Sequence, residues 1–328
     1  MSILLLYYNF IKKVEHMATN RTIYTKNEFH LGYCVYSLIF LILMSILLYY
    51  NFIKKVEHMA TNRTIYTKNE FHLGDCVYSL IYLKNICSYI EENNIIIYFY
   101  CLDEYLEQVK DFNNSKNIIV EPTSNIPNGV KIHNLWIGSE DYDYNWFKIY
   151  DNNDHKAYDV FFCNFYNKIS QILEIPVKID KFIYYDNDLI DRCKRINFIY
   201  NNYYSRIDFL INNGRPMSGQ FYYDDNEWNN FIIKLSKKHN VVTTQKVADI
   251  KCTRDFNLKV KDIAAISLEA KNIIAIESGV VSGFYNVYVT EDATKTVYTL
   301  SNDNAHKCSF KNFTLKNSLR ELDFLLDN

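Results

Sequence analysis

Residues 64–80 read TIYTKNEFHLGDCVYSL, and this stretch decides the fold that we expect. Its first half, from Thr64 to Phe71, has the β-branched and aromatic residues typical of a strand. Gly74 then allows a tight turn, and an apolar pattern with helical spacing begins at Cys76. A strand, a glycine turn and a helix in that order are typical of the first unit of a parallel α/β sheet.

The same alternation continues along the chain. The run IIIYFY at residues 95–100 predicts a buried parallel strand. Further buried strands are expected at 206–211 and 273–276, with helical patterns between them and a loop-rich stretch at 122–155. The chain is therefore predicted to be an α/β protein with two sheet-forming parts.

The composition is that of a globular protein, with 48% hydrophobic and 23% charged residues and a net charge of −2. Without a basic excess, nucleic acid is not an expected partner. The eight cysteines include no CxxC pair and no Cys/His cluster with the spacing of zinc ligands. We therefore expect free thiols in a reducing compartment and no bound metal.

Two long stretches near the N-terminus are nearly identical. Residues 7–41 and 49–83 differ at two of 35 positions, Tyr33 against Asp75 and Phe40 against Tyr82. Repeat folds diverge more and run to three or more units, so this pattern indicates a recent partial gene duplication or a start-site artefact. Only the second copy continues into the rest of the chain, and we expect that copy to be built into the first domain.

An uncharged stretch lies where the two copies join. Residues 35–53 read VYSLIFLILMSILLYYNFI, and a helix of that length, at ~1.5 Å per residue, spans a bilayer core. The alternative is an unpaired apolar segment that packs on the domain or stays disordered. Both interpretations stay open, as does a location in the cytoplasm or on the cytoplasmic side of a membrane. The N-terminus has no basic region before its short apolar run, which argues against a secretory signal peptide.

Three places could carry chemistry. Asp75 follows the first glycine turn at the carboxyl end of a strand, where it could act as a general base or simply cap the helix. In the second half, the loop 214–219 contains Arg215, which could pair with a diphosphate, and Ser278-Gly279 opens a helix, where amide groups attract anions. Ordinary turn chemistry explains each of these two loops equally well.

The chain resembles glycosyltransferases of the GT-B fold, most nearly the heptosyltransferase-like group. Leu73-Gly74-Asp75 before an apolar helix and Glu277-Ser278-Gly279 between a strand and a helix carry the resemblance. It implies two Rossmann-like domains that face each other across a cleft. The boundaries that we predict are 1–58 for the duplicated segment, 59–190 for the acceptor domain, 191–310 for the nucleotide-sugar domain and 311–328 for a C-terminal helix.

The resemblance also implies an activity. A sugar would pass from a nucleotide-sugar donor to the hydroxyl of a glycan or another acceptor, without a metal or a further cofactor, and Asp75 would be the general base. Substrate-binding residues are expected at both turns and in the loop after the first strand of the second domain, namely His72, Gly74, Asn213, Gly214, Arg215, Glu277, Ser278 and Gly279.

Two features depart from the family pattern. The family has Asp-Ser-Gly followed by Pro and a His, whereas this chain has Glu277-Ser278-Gly279 followed by two valines. The first copy has Tyr33 where Asp75 stands, so it cannot supply the same base. The alternative hypothesis is therefore a catalytically inactive relative that keeps the fold for binding or structure, with or without a membrane anchor.

Overall fold

The structure is a computed structural model, and it describes Lys12 and residues 41–42, 44–51, 63–136, 157–174, 186, 188–216, 221–276, 278–302 and 310–327. The chain forms two compact units, residues 1–61 and 62–328. In the first unit, residues 41–42 and 44–51 are helical. None of the helices described is both long and apolar enough to cross a bilayer. Of the span predicted at 35–53, residues 35–40, 43, 52 and 53 lie outside the described part of the chain.

Among the described residues, four parallel strands form the first sheet of the larger unit. They are β1 (Arg63–Asn69), β2 (Ile95–Cys101), β3 (Ile118–Pro122) and β4 (Ile132–Asn134), in the order β3-β2-β1-β4. β2 consists of β-branched and aromatic residues followed by a cysteine, as expected for a strand with a neighbour on each side. The helices of this part are α1 (Leu73–Asn85), α2 (Cys87–Glu92), α3 (Leu106–Asp111) and α4 (Ala157–Leu173).

In the part of the chain that the structure describes, six parallel strands form the second sheet. They are β5 (Ile207–Asn212), β6 (Val241–Thr243), β7 (Lys251–Cys252), β8 (Ala270–Ile276), β9 (Thr296–Leu300) and β10 (Phe313–Lys316). The helices are α5 (Asp188–Ile199), which precedes the sheet, α6 (Asp225–Ser236), α7 (Val260–Ile266), α8 (Val287–Thr290) and α9 (Phe324–Asp327). A 3₁₀ helix, Gly279–Phe284, follows β8.

Both sheets have the strand order of nucleotide-binding α/β folds. Read from β7, the second sheet runs β7-β6-β5-β8-β9-β10, which is the order 3-2-1-4-5-6 of Rossmann folds, and the first sheet has the order 3-2-1-4. In each sheet the strand order reverses between the first and the fourth strand. This position lies between β1 and β4 in the first sheet and between β5 and β8 in the second. Such switch points are where these folds bind ligands. The predicted α/β class with two parallel, Rossmann-like sheets is therefore confirmed.

Some predicted elements are wrong. The C-terminal helix predicted within 311–328 is instead strand β10, a 3₁₀ turn at Leu319–Leu322 and the short α9. Phe313 and its neighbours extend the second sheet by pairing with β9, which overrides the helical spacing of the leucines. The stretch predicted to be loop-rich, 122–155, also contains the short strand β4, and the predicted boundary at residue 190 falls inside α5. The domain limits stay predictions.

One hydrophobic core extends across both sheets. It contains Leu80 and Ile97 from the first part and Ile263 and Ile273 from the second. A second apolar cluster, which includes Trp228, lies around α6 and the C-terminal turns. The five cysteines that the structure describes outside α4 are free thiols, as predicted.

Buried charges tie the two parts together. The Asp186 carboxylate lies 3.1 Å from the Lys261 ammonium, and both side chains are almost fully buried. Arg192 donates two hydrogen bonds of 2.7 Å to Asp111, at the end of α3, and one of 2.6 Å to Asp262 in α7. Because these groups come from both parts and from α5 between them, the network fixes the relative position of the two sheets.

Candidate functional site

The two predicted turns meet in direct backbone contact. A Cβ atom on Gly74 would lie 2.5 Å from the Cα of Gly279, and one on Gly279 would lie 3.0 Å from the Gly74 nitrogen. A side chain at either position would push α1 and the 3₁₀ helix apart, which is why glycine is needed here. We call this pair the glycine contact. The turns face each other, and no gap separates the two glycines, so the contact itself leaves no space for a ligand.

The first turn is held by Asn69, the last residue of β1. Its side-chain oxygen accepts a 3.0 Å bond from the Phe71 amide, and its side-chain nitrogen donates to Ser79 in α1 at 3.0 Å. The Cys76 thiol donates to the Asn69 carbonyl. Since Asn69 is buried, these bonds fix the path of the chain from the end of β1 into the first turn of α1.

Asp75 lies in the first turn of α1, three residues after the N-cap His72, so it is not the cap itself. Neighbouring atoms crowd its carboxylate, although 38% of the side chain remains exposed. Burial raises the pKa of the Asp75 carboxyl to about 6, against the lowering effects of His72 and of the backbone amides of His72 and Asp75. The His72 Nδ1 atom lies 4.0 Å from the Asp75 carboxylate. A carboxyl group with this pKa is largely ionised at neutral pH and can accept a proton.

An aromatic group lies on the same turn. The Phe71 ring stacks on Trp136 with ring centres 4.3 Å apart, and it lies 4.0 Å from the His72 ring. Trp136 follows β4, and its amide donates to the side chain of Asn134 at the end of that strand. The aromatic group therefore spans the switch point between β1 and β4. The sequence reasoning did not single out Phe71 or Trp136, because neither lies in a recognised motif.

On the second sheet, Asn212 joins three strand ends. Its side-chain nitrogen donates to the Ile276 carbonyl at 3.0 Å and to the Ser278 hydroxyl at 2.9 Å. Its side-chain oxygen accepts from the Thr244 hydroxyl at 3.0 Å. Ser278 is thereby fixed one residue from the glycine contact, at the switch point between β5 and β8.

Asn213 has a supporting role. Its side-chain oxygen accepts from the amides of Thr244 and Gln245, at 3.1 and 2.8 Å, and its nitrogen donates to the Gln245 carbonyl. A Cβ atom on Gly214 would lie 3.4 Å from the Gln245 side-chain amide. Asn213 thus positions the loop after β6, and that loop brings in Gln245, which the sequence reasoning missed. A buried asparagine directly after a strand was the available signal.

Another predicted site residue, Arg215, is already paired on the surface. Arg215 is exposed, forms a 2.6 Å ion pair with Asp225 and lies over the Tyr223 ring. Its guanidinium is therefore already engaged by a carboxylate. Glu277 and Gly219 lie outside the residues that the structure describes. Across the described residues, no group of three or more His, Cys, Asp or Glu side chains could hold a metal ion.

No protein-family model and no curated protein matches the sequence. Several solved glycosyltransferase structures are similar to it. For Escherichia coli heptosyltransferase WaaC with ADP-2-deoxy-2-fluoro heptose, the TM-score is 0.48 at 8% identity, over 78% of this chain and 93% of that chain. For a glycosyl transferase of family 9 from Veillonella parvula, the TM-score is 0.48 at 12% identity, over 80% and 88%.

A third similar structure is TibC of enterotoxigenic E. coli, an iron-containing dodecameric glycosyltransferase. Its TM-score is 0.45 at 12% identity, over 78% of this chain and 63% of that chain. The resemblance to heptosyltransferase-like structures is thus confirmed as a similarity of fold. At these identities and TM-scores it carries no argument about substrate, metal or assembly.

Proposed function

We propose that the chain is a glycosyltransferase that moves a sugar from a nucleotide-sugar donor to a hydroxyl acceptor without a metal ion. One observation carries the proposal, the contact between Gly74 and Gly279. Asp75 directly follows Gly74, and Ser278 directly precedes Gly279. The contact therefore joins the switch points of the two sheets, where folds of this class bind ligands. A transfer between two substrates needs such a meeting of two binding edges.

The donor is assigned to the edge of the second sheet. Ser278, held by Asn212, and the amide of Gly279 would contact the diphosphate. The half-buried Gln245 offers an amide for the nucleoside. The N-terminus of α1 adds a favourable dipole for the charge that develops on the leaving diphosphate. The Arg215 guanidinium would contribute positive charge at the diphosphate only if its ion pair with Asp225 were broken.

The acceptor is assigned to the edge of the first sheet. Asp75, ionised above its pKa of about 6, would take the proton of the acceptor hydroxyl. The hydroxyl oxygen then bonds to the anomeric carbon, the bond from that carbon to the diphosphate breaks, and the nucleoside diphosphate leaves. The partly exposed Phe71 and the half-buried Trp136 would support the apolar face of a sugar ring on the acceptor side.

Binding of nucleoside diphosphates is the first test. UDP, GDP and ADP are each added to the full chain, and the melting temperature is measured. At 100 times its Kd a ligand stabilises the folded protein by about 3 kcal/mol, so the correct diphosphate raises the melting temperature clearly. If none of the three changes it, the proposal is contradicted.

Transfer is the second test. Nucleoside diphosphate release from the matching nucleotide-sugar is measured with a panel of glycan acceptors for the wild type, Asp75→Asn and Asp249→Asn. Asp249 is exposed and serves as the matched control. Asp75→Asn is expected to lose activity by about 100-fold or more and Asp249→Asn to keep it. A wild type that binds the diphosphate but transfers nothing would favour the inactive relative.

A further inference from the structure

A groove of about 540 Å³ lies on the surface between α3, α5 and the start of α7. Its walls come from both sheet-forming parts, because α3 belongs to the first and α7 to the second. None of the described residues that line it belongs to the turns of Asp75 and Ser278. We call it the α5 groove, and the lining residues on which the argument depends are Lys110, Arg195, Ile199, Tyr200, Phe256 and Lys259.

The base of the α5 groove is a closed ion network. The Arg192 guanidinium donates two hydrogen bonds of 2.7 Å to Asp111 and one of 2.6 Å to Asp262. All three side chains are mostly buried. Both carboxylates of the base are therefore engaged by a cation of the protein itself, and they do not face an incoming ligand as free charges.

The rim of the groove is positive. Lys110, Arg195 and Lys259 are exposed there, against one exposed carboxylate, that of Glu107. Within the described ranges of the chain, none of these three cations forms an ion pair with a carboxylate. A ligand that carries carboxylates would thus meet cations that have no ion-pair partner to give up.

An aromatic pair forms the apolar part of the same groove. The Phe256 ring stacks on Tyr200 with ring centres 4.1 Å apart. Phe256 nevertheless remains 37% exposed, and Ile199, which also lines the groove, is 57% exposed. Exposed apolar side chains beside unpaired cations indicate a surface for a partner that has both apolar and acidic groups.

The aromatic pair is held in place without a ligand. The Tyr203 ring packs edge-on against Phe256 at 5.2 Å, and the Tyr204 ring does so at 6.0 Å. The Tyr203 hydroxyl donates to the Asp255 carboxylate and the Tyr204 hydroxyl to the Cys252 carbonyl, both at 2.9 Å. Because these rings are already ordered, a partner that binds them loses little side-chain entropy.

We propose that the α5 groove binds an acidic segment of another protein. Carboxylates of the segment pair with Lys110, Arg195 and Lys259, and one aromatic or aliphatic side chain of the segment lies on Phe256. The positive rim and the apolar rings beside it are the complement of such a segment. The proposal does not depend on the sugar transfer proposed above.

The shape of the groove favours a peptide segment over other anionic ligands. The groove is open to solvent, whereas sites for small molecules enclose most of the surface of their ligand. A flat membrane surface would touch the rim and leave the concave part empty. A segment that lies along the groove contacts α3, α5 and α7 together.

Binding is measured by fluorescence anisotropy on the full chain with a defined probe. The probe is a fluorescein-labelled nonapeptide with a central tryptophan between two runs of four glutamates. The wild type is expected to bind it at physiological ionic strength with a Kd of about 1–100 μM, and no binding at about 1 mM overturns the proposal. A peptide with glycine in place of the tryptophan should bind about fivefold more weakly or worse.

Arg195→Glu and Lys194→Glu form a matched pair of variants. Both residues are exposed on α5 and both substitutions reverse one charge, but only Arg195 lines the groove. Arg195→Glu should weaken binding about tenfold or more and Lys194→Glu about twofold or less, because exposed charges are screened over about 8 Å. Equal losses would show general charge attraction and would overturn the proposal.

Phe256→Ala and Phe198→Ala test the apolar contact in the same way. Both rings are exposed, but only Phe256 lines the groove. Phe256→Ala should weaken binding about tenfold, and Phe198→Ala should leave it unchanged. Melting temperatures show that each variant is folded, and Ile199→Ala replaces Phe256→Ala if the latter does not fold. Unchanged binding by the folded groove variant contradicts the apolar contact.

Two kinds of competitor separate the alternative ligands. The wild type with bound probe is mixed with UDP, GDP or ADP, or with vesicles of phosphatidylcholine and phosphatidylserine. Neither is expected to displace the peptide. Displacement by a nucleoside diphosphate would assign the groove to a small molecule, displacement by the vesicles would assign it to a membrane surface, and either result overturns the proposal.

Discussion

The Cβ position of Gly74 lies 2.5 Å from the Cα of Gly279, so the first turn of α1 and the 3₁₀ helix after β8 have no space between them. Gly74 follows β1 of the first sheet, and Gly279 follows β8 of the second. Each of these strands lies at a switch point. The glycine contact therefore does two things at once. It packs the two parts of the protein together, and it joins the turn that carries Asp75 to the turn that carries Ser278.

Substitution of Gly279 tests the packing role. Gly279 is used because it lies outside the duplicated segment. A Cβ atom there would lie 3.0 Å from the Gly74 nitrogen, and that backbone cannot move without separating α1 from the 3₁₀ helix. Gly279→Ala should lower the free energy of unfolding by about 1–3 kcal/mol, measured by urea denaturation.

Gly214→Ala is the control for this measurement. The nearest atom to its Cβ would be the flexible end of the Gln245 side chain, at 3.4 Å, and the other neighbours lie at ordinary contact distances of 3.8 and 3.9 Å. It should change stability much less than Gly279→Ala. Equal losses of stability for the two substitutions would show that the glycine contact tolerates a Cβ atom as well as the position of Gly214 does.

Asp75→Asn should stabilise the protein in a pH-dependent way. The pKa of Asp75 is raised in the folded state to about 6, from an ordinary value of 3.8, because burial disfavours the charge. Between these values the folded state binds more protons than the unfolded state, so stability falls as the pH rises from about 4 to about 6. The melting temperature of Asp75→Asn should therefore equal that of the wild type at pH 4 and exceed it above pH 6.

Asp249→Asn again serves as the control, because this carboxylate is exposed and lies outside the two turns. The same pKa gives a kinetic prediction, since the base acts when ionised. The wild-type transfer rate should rise with pH around 6 and level off above it. A rate that falls over this range would contradict the role of Asp75 as base.

The buried ion network should contribute far more to the free energy of unfolding than exposed ion pairs do. Lys261→Met leaves the buried Asp186 with one cation fewer and should cost about 3–5 kcal/mol in the free energy of unfolding. Lys271→Met breaks an exposed pair with Asp208 and should cost about 1 kcal/mol or less. Urea unfolding at pH 7 measures both, and equal losses would disprove the structural role of the network.

Acid should remove the advantage of this network. Burial opposes the charge on Asp186, but Lys84 and Lys261 outweigh burial and hold its pKa below the ordinary value of 3.8. The contribution of Asp186 is therefore present above pH 4 and is lost as the pH falls through its folded-state pKa. The difference between the wild type and Lys261→Met should shrink in that acidic range.

Trp136→Ala tests the aromatic group of the acceptor side. Loss of the ring that stacks on Phe71 should raise the KM for the acceptor about two- to tenfold, with little change in diphosphate binding. Phe198→Ala is the control, because that ring is exposed on α5. A rise in the KM for the donor with an unchanged KM for the acceptor would show that Trp136 contacts the donor, and would contradict its assignment to the acceptor.

The sequence predicted the elements that have a strong local pattern. The run at Ile95–Cys101 and the turn at Gly74 were found because apolar runs and glycine turns are visible in any single stretch. β4 was missed because three residues carry no periodicity, and it is a strand only through its pairing with β1. In α5, buried residues at Leu189, Cys193 and Ile196 have helical spacing, and that signal was available but not used.

The site was predictable only in part for the same physical reason. Asp75 and Ser278 were singled out because of their neighbouring glycines, and their roles stay predictions. That Gly74 meets Gly279 is a long-range packing result, which no local pattern contains. The aromatic group and Gln245 come from loops whose positions are set by Asn134 and Asn213, and such support becomes visible only with the hydrogen bonds themselves.

A crystal structure of the full chain with the nucleoside diphosphate that raises its melting temperature most would test the central claim directly. The account predicts the diphosphate within hydrogen-bonding distance of the Ser278 hydroxyl and the Gly279 amide, with the Asp75 carboxylate facing the same space. A diphosphate bound elsewhere, for example in the groove of about 540 Å³ lined by Lys110, Arg195 and Lys259, would contradict it.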